Sequence, residues 1–274
     1  MNILEMRIGD IRDYANVCSL VKDADIVFNA ASLKQVPTCE YFPVQALLTN
    51  CMGPYNLARA IEENDYPVQT VVSISTDKAC KPVCVMGMTK SIQERIFIAA
   101  NIATPKTRFL CVRYGNVLAS RGSVIPLFHE QIKNGGPLTI TIPEMTRFLL
   151  SLDDAVDTVF AALRDGDRGD TYVPQAPSST VIDVARALIG NRKIDIVFTG
   201  IRPGEKIHEI MVSEEEANRC FPRGNYFVIR PMLPELSNGR KPEAPSLNKE
   251  YSSADAVLGY EKTVALLERH HLLI

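Results

Sequence analysis

The chain has 274 residues, of which 46% are hydrophobic and 23% charged, with a formal net charge of −2. This suits one sizeable domain, or a domain with a smaller lobe, and the near-neutral balance excludes the basic footprint of a nucleic-acid binder. No apolar run approaches the ~18 residues of a membrane-spanning helix, residues 1–10 carry no signal-peptide pattern, and the seven scattered cysteines read as reduced thiols of a cytoplasmic protein.

In chain order, Leu4–Ile8 reads as a short strand ending at Gly9-Asp10, Tyr14–Lys22 as a helix and Asp25–Ala30 (DIVFNA) as a buried strand. The spacing of Ala46, Leu47, Asn50, Leu57 and Ile61 predicts a helix over Val44–Asn64. Val68–Ile74 is the next strand, Met88–Asn101 the next helix and Arg108–Tyr114 (RFLCVRY) the strand after it. This alternation predicts an α/β fold with a Rossmann-like parallel sheet and crossover helices. The second half is more mixed. Ile125–Lys133, Asp153–Arg164 and Val181–Ile189 read as helices, with short strands near Leu138–Thr141, Asp170–Val173 and Ile194–Phe198. Pro231–Pro245 reads as an irregular arm and Ala254–His270 as the last helix.

Open parallel sheets bind ligands at the carboxyl ends of their strands. Four polar stretches fall there: Gly9-Asp10, Ala30–Lys34, Ser75–Lys78 and Gly115-Asn116. Each alone is ordinary loop polarity; their convergence predicts a nucleotide or cofactor crevice. Within STDKACKPVCVMGMTK (residues 75–90), Lys90 follows Met86 by one helical turn. No metal set is predicted, because the closest cysteine pair, Cys80 and Cys84, lacks a second pair or a nearby histidine, and His129, His208, His270 and His271 do not group as ligands.

Taken with RYGNVLASRGSVIP after it, this stretch resembles the UDP-N-acetylglucosamine 4,6-dehydratases of polysaccharide biosynthesis, within the extended short-chain dehydrogenase family. The likeness runs through GDIRDY, NAASLKQVPTCEYFP, TNCMG, MTRF and GIRPGEKIHEIMVSEEEA, is densest from Asp10 to Ala217 and is loose after Pro231. In short-chain dehydrogenases the pattern at residues 86–90 is Tyr-x-x-x-Lys; some branches of this family have Tyr at the position of Met86 and others Met.

The resemblance implies oxidation of a sugar at C4 by hydride transfer to NAD, loss of water across C5 and C6, and return of the hydride to C6. It makes Asp77 the acid at C6 and Lys78 the base at C5, with Thr76 bonding the C4 hydroxyl and Lys90 binding the nicotinamide ribose. With Met86 unable to exchange a proton, either Thr76 through water or Asp77 takes the C4 proton. A lysine base requires a lowered pKa, which burial and nearby Lys90 would supply. On the cofactor side the resemblance implies Asp10 and Ile11 at adenine, Ala30 and Ala31 at pyrophosphate and ribose, and roles for Asn50 and Ser75 in ordering and lining the crevice. On the substrate side it implies Lys34, Asn116, a uracil contact along Leu138, Thr139 and Ile140, a diphosphate clamp from Arg147 and Arg202, and a ribose contact from Glu205.

The expected division is an incomplete NAD-binding Rossmann-like domain over residues 1–117 and a nucleotide-sugar lobe over 118–274, with helices returning to the first body. The Gly-rich turn that holds NAD pyrophosphate in the family matches no stretch before Asp10, so the chain reads as N-terminally truncated, with DIVFNA left as an exposed apolar edge. A homo-oligomer acting on a UDP-sugar is the implied assembly. Two rivals stand beside the dehydratase: a UDP-sugar 4-epimerase, which has no use for an elimination pair, and an inactive fragment that binds nucleotide-sugar.

Overall fold

The structure, a computed structural model, describes residues 4–237, 239 and 243–273. The first half runs α1 (Tyr14–Val21), β1 (Ile26–Asn29), α2 (Val36–Tyr41), α3 (Pro43–Leu47), a π-helical turn over Leu48–Met52, α4 (Gly53–Asn64), β2 (Thr70–Ile74), α5 (Val85–Ala103) and β3 (Arg108–Val112). Next come β4 (Asn116–Val117), α6 (Val124–Lys133), β5 (Leu138–Ile140), β6 (Thr146–Leu150), α7 (Leu152–Asp165), β7 (Thr171–Pro174), β8 (Ser178–Thr180), α8 (Val181–Ile189) and β9 (Ile196–Phe198). The chain finishes with β10 (Ile210–Val212), α9 (Glu214–Ala217), β11 (Cys220–Arg223), β12 (Tyr226–Ile229), α10 (Pro234–Ser237), β13 (Tyr251–Ser252) and α11 (Tyr260–Arg269).

The central sheet has the order β1-β2-β3-β7-β12-β11, with β1, β2, β3 and β7 parallel and the β11–β12 hairpin antiparallel. This is the Rossmann-like α/β architecture. Alternation along β2 sends Val71 into an apolar cluster with Val17, Leu57, Ile61 and Phe97, and Val72 into one with Ala161, Ala162 and Tyr172. The sheet is thus sandwiched, with α1, α4 and α5 on one face and α7 on the other. Residues beyond 117 return to it as α7, β7, β11 and β12, and also build a separate core in which Phe128, Leu138, Ile140, Leu188 and Leu267 pack together.

Several elements differ from expectation. Leu4–Ile8 forms no strand: Leu4, Met6 and Ile8 are 76%, 89% and 104% exposed, so their alternation faces no partner. Val44–Asn64 is not one helix. Pro54 has no N–H for the carbonyl of residue 50, and a π turn at 48–52 separates α3 from α4. The last helix begins only at Tyr260, and the arm at 231–245 holds the short α10; its residues 238 and 240–242 lie outside the described residues. The expected edge is present: among the described residues β1 pairs only with β2, and Ile26 and Phe28 remain 44% and 46% exposed.

Candidate active site

Parallel strands deliver their carboxyl ends to one rim of the sheet, and β2 brings Ser75–Lys78 there. The backbone of this segment is tied to the end of β3, Ser75 N donating to the Val112 carbonyl (2.7 Å) and Asp77 N to that of Tyr114 (3.1 Å). Thr76 then caps a single 3₁₀ turn over Asp77–Ala79, which lifts Asp77 and Lys78 out of the strand direction. The turn is seated against α5 at Gly87, where any Cβ would collide with the Lys78 backbone carbonyl.

Asp77 is 1% exposed. Its Oδ1 accepts from Thr76 Oγ1 (2.9 Å) and Lys78 Nζ (3.1 Å), whereas Oδ2 is buried with no partner among the described residues. Burial pushes its carboxyl pKa up, and the charge of Glu209 adds to the rise against the pull of Lys78. Lys78 Nζ also lies 3.1 Å from Glu209 Oε1. Burial opposes the Lys78 charge, but Asp77 and Glu209 outweigh it and raise the pKa. The expected depression of Lys78 is therefore overturned: two carboxylates hold it as an ammonium.

Lys90 shows the lowering expected of Lys78. Burial brings it down to about 8, and its Nζ donates to the Ile74 carbonyl (2.5 Å) and Gln93 Oε1 (2.8 Å). Met86 is 5% exposed and packs with Cys39, Ala46 and Cys84. Beneath Ser75, the hydroxyl donates to Glu94 (2.5 Å), and Arg113 spans Glu94 and Glu216 with contacts of 2.6 and 2.7 Å. Glu216 comes from a capping box with Ser213, so the guanidinium joins β3, α5 and the start of α9.

The remaining candidates divide clearly. Asn116 stands at β4 with a buried, unpartnered Oδ1. Arg147 spends its donors on the carbonyls of Thr146, Lys206 and Ile207, and its Nε is 3.7 Å from Glu209. Arg202 is exposed, and Glu205 accepts from Thr141 (3.3 Å). Leu138 and Ile140 turn their side chains into the second core, which leaves half-buried Thr139 and the strand backbone to meet a base; the Thr139 amide is already taken by Gln131 (3.1 Å). Lys34 is exposed and donates to the Arg121 carbonyl (2.7 Å). On the other side, Ala30 and Ala31 are exposed, Asp10 is paired with Arg12, which holds it down to about 2, and Ile11 packs against Gly53. Asn50 is buried, and its amide is used up on Leu33 N, Leu33 O and Thr89 Oγ1, so it orders the loop after β1 and offers nothing further to a ligand.

Among the described residues, Asn29 Nδ2, Asp77 Oδ2, Asn116 Oδ1, Ser123 Oγ and Glu209 Oε2 are buried without partners. Asn29 pairs in register with Ser73 at the end of β1, Asp77 and Asn116 follow the ends of β2 and β3, Glu209 meets them through Lys78, and Ser123 stands apart at the start of α6. Buried polar atoms are normally satisfied, so the four unmet groups gathered at this rim make it the candidate site for a ligand. The described residues contain no cluster able to hold a metal, and no helix long and apolar enough to cross a membrane.

Residues 1–231 match the model of a family described as "Polysaccharide biosynthesis protein". The chain belongs to this family. A relative from Rickettsia bellii named UDP-glucose 4-epimerase is 44% identical over 270 residues, covering 97% of this chain and 74% of the relative. The crystal structure of Pen from Bacillus thuringiensis, 32% identical, superposes with a TM-score of 0.89 over 98% of this chain and 82% of Pen. DesIV from Streptomyces venezuelae, a dTDP-glucose 4,6-dehydratase solved with NAD and TYD bound, shares the fold at 19% identity and a TM-score of 0.66, over 73% of this chain and 68% of DesIV.

Four residues of the rim escaped sequence reasoning: Asn29, Glu94, Arg113 and Glu209. Glu209 lies inside IHEIM with no spacing to single it out, and Arg113 inside an apolar strand read only as RFLCVRY. The one available signal was indirect: Ser213-x-x-Glu216, a capping-box pattern, marks Glu216, the carboxylate that partners Arg113.

Proposed function

We propose that this rim catalyses NAD-dependent 4,6-dehydration of UDP-N-acetylglucosamine, giving a UDP-4-keto-6-deoxy sugar for polysaccharide or glycan synthesis. The observation that carries the reading is Asp77: a carboxyl buried to 1%, pushed toward its protonated form, with one free oxygen and an ammonium beside it. Expulsion of a C6 hydroxyl needs such an acid; exchange of a C4 hydrogen does not.

The residues present fit the nicotinamide-ribose end of NAD, where the unpartnered Asn29 amide and the Lys90 ammonium, tied to the Ile74 carbonyl, stand at the ends of neighbouring strands. When bound there, NAD would supply a hydride acceptor at sugar C4 and a hydride donor at C6. The chain's own part is proton handling. Thr76 Oγ1, held by its bond to Asp77 Oδ1, would pass the C4 hydroxyl proton out to water, which leaves the Asp77 carboxylate open to the proton of Lys78. Lys78 must first become an amine before it can take the C5 proton. Transfer of one proton from Nζ to Asp77 Oδ1 along their 3.1 Å contact leaves the nitrogen lone pair free and creates the C6 acid in the same step, with no change in net charge. Arg147 and Arg202 would flank the diphosphate, Asn116 the sugar, and Thr139 and Glu205 the nucleoside. Exposed Tyr41, Phe42 and Val44 support the homo-oligomer.

Proton NMR in deuterated water with UDP-N-acetylglucosamine and NAD tests this directly. The expected product carries a new C6 methyl with deuterium at C5, and Asp77→Asn loses it by about 100-fold or more. A second reading, UDP-sugar 4-epimerisation, draws on the name borne by the Rickettsia relatives. It predicts exchange between the gluco and galacto configurations with no methyl signal, and tolerance of Asp77→Asn. Thermal shift with UDP and with NAD covers the third: stabilisation by UDP alone, with neither product, identifies a binding fragment.

A further inference from the structure

The established expectations place two ionisable groups in the turn, Asp77 and Lys78, and leave Glu209 without a role. Glu209 is 2% exposed, stands immediately before β10, and comes from a part of the chain 131 residues away from Lys78 in sequence (209 less 78). Its backbone is fixed on both sides by Ser253, Glu209 N donating to Ser253 Oγ (2.9 Å) and Ser253 N to the Glu209 carbonyl (2.8 Å). Its carboxylate is therefore presented from a rigid β10–β13 frame. Oε1 lies 3.1 Å from Lys78 Nζ and 3.7 Å from Arg147 Nε, while Oε2 is buried with no partner among the described residues.

We infer that Glu209 is the positioning residue of the Asp77–Lys78 pair: its carboxylate anchors the Lys78 ammonium and decides where the proton of the site rests. A lysine side chain has four rotatable bonds, and Asp77 alone, its neighbour in sequence, cannot fix where the ammonium points. A second carboxylate from another strand does so, and it opposes loss of the ammonium proton. The charged groups around Glu209 are Asp77 and Lys78 from the turn, Arg147 from β6 and Lys206 from the segment before β10; the His208 ring is turned to Thr146 (2.8 Å). Burial works against the Glu209 charge, yet Lys78 and Arg147 hold its carboxyl below the usual range. The ionised Glu209 in turn raises both Asp77 and Lys78. Removal of that one charge should therefore free the Lys78 amine at a lower pH.

This rests on the proposed elimination for its purpose, but its test needs no sugar. The full chain is labelled with trace acetic anhydride from pH 7 to 11, and acetylation of Lys78 is read by mass spectrometry against Lys106, an exposed lysine just before β3. In the wild type Lys78 lags Lys106 throughout. In Glu209→Gln, which keeps size and backbone bonds, Lys78 labelling at pH 9–10 rises by about tenfold per unit of lowered pKa, and Glu209→Asp stays near wild type. Where turnover is measurable, the acidic limb of the kcat profile moves to lower pH in Glu209→Gln while KM holds. Wild-type Lys78 as reactive as Lys106, or a Glu209→Gln labelling curve unchanged from wild type, overturns the inference. Should Glu209→Gln not fold, the wild-type lag with a matching Glu209→Asp curve supports it, and a Glu209→Asp curve that meets Lys106 refutes it. A Lys78 shift without any methyl product leaves this inference standing and removes the dehydratase reading.

Discussion

Replacing Lys90 with methionine isolates the energetic cost of keeping an ammonium under the rim. Burial lowers Lys90 from 10.5 to about 8, whereas the unfolded chain retains the ordinary value. Between those two pH values the unfolded state binds more protons than the folded one, so folding stability attributable to Lys90 rises with pH. From pH 7.5 to pH 10 the difference amounts to about 2.5 kcal/mol, on the rule of ~1.4 kcal/mol per unit of pKa. Below pH 8 the charged lysine is a burden that Ile74 O and Gln93 Oε1 only partly offset. The assay is urea unfolding of wild type and Lys90→Met at both pH values. Other lysines, tyrosines and cysteines titrate in both proteins and cancel in the difference. Wild type should gain on the variant by about 2.5 kcal/mol as pH rises. A gap that is flat, or that moves in favour of the variant, refutes a buried, readily deprotonated Lys90.

Arg113→Met strands Glu94 and Glu216 in the interior and should cost about 3–5 kcal/mol in denaturant unfolding at pH 7. Arg113 holds Glu216 down to about 2 against burial, and without it burial pushes that carboxyl up, so the wild-type advantage grows as the pH rises from 2 and shrinks as the pH falls back toward 2. In Gly115→Ala the new Cβ would lie 2.7 Å from Phe148 Cβ and 3.2 Å from Asp77 Oδ2; displacement of that carboxyl should lower turnover by ~100-fold with little change in KM. Phe28→Lys on the open edge should slow aggregation followed by light scattering at 37 °C, while loss of the Phe28–Phe160 edge contact (6.3 Å between centroids) costs only ~1 kcal/mol of stability.

Elements with a strong local pattern were legible. The strand in DIVFNA, the strand ending at Ile74 and the helix Val181–Ile189 follow from continuous apolar runs or regular helical spacing. Patterns whose meaning depends on a distant partner were not. The alternating Leu4, Met6 and Ile8 face solvent, while β6 hides inside a stretch read for its arginine. The β11–β12 hairpin was missed although Gly224-Asn225 marks its turn between paired runs Cys220–Arg223 and Tyr226–Ile229. The same division holds at the rim. Asp77, Lys78 and Lys90 are close in sequence and were found together; Glu209 reaches Lys78 only through the fold, and with it the sign of the Lys78 shift was reversed. A pKa belongs to the surroundings in space, and a sequence lists only neighbours along the chain.

The Ser75–Lys78 turn is not portable. Its first hydroxyl donates to Glu94, whose charge is matched by Arg113, which is shared in turn with Glu216 of α9, more than a hundred residues further along the chain. Grafting residues 75–94 onto another parallel sheet would bring Glu94 without its guanidinium, and a guanidinium added alone would arrive without the second carboxylate that its other N–H donors reach. Only the full set of Glu94, Arg113 and Glu216 gives the guanidinium partners on both sides. The same triad fastens the end of β3 to α5 and α9, whereas the segments around Thr139 and Arg202–Glu205 carry no such buried clamp among the described residues, so the rim is stiff on the side of the turn and free to adjust on the other.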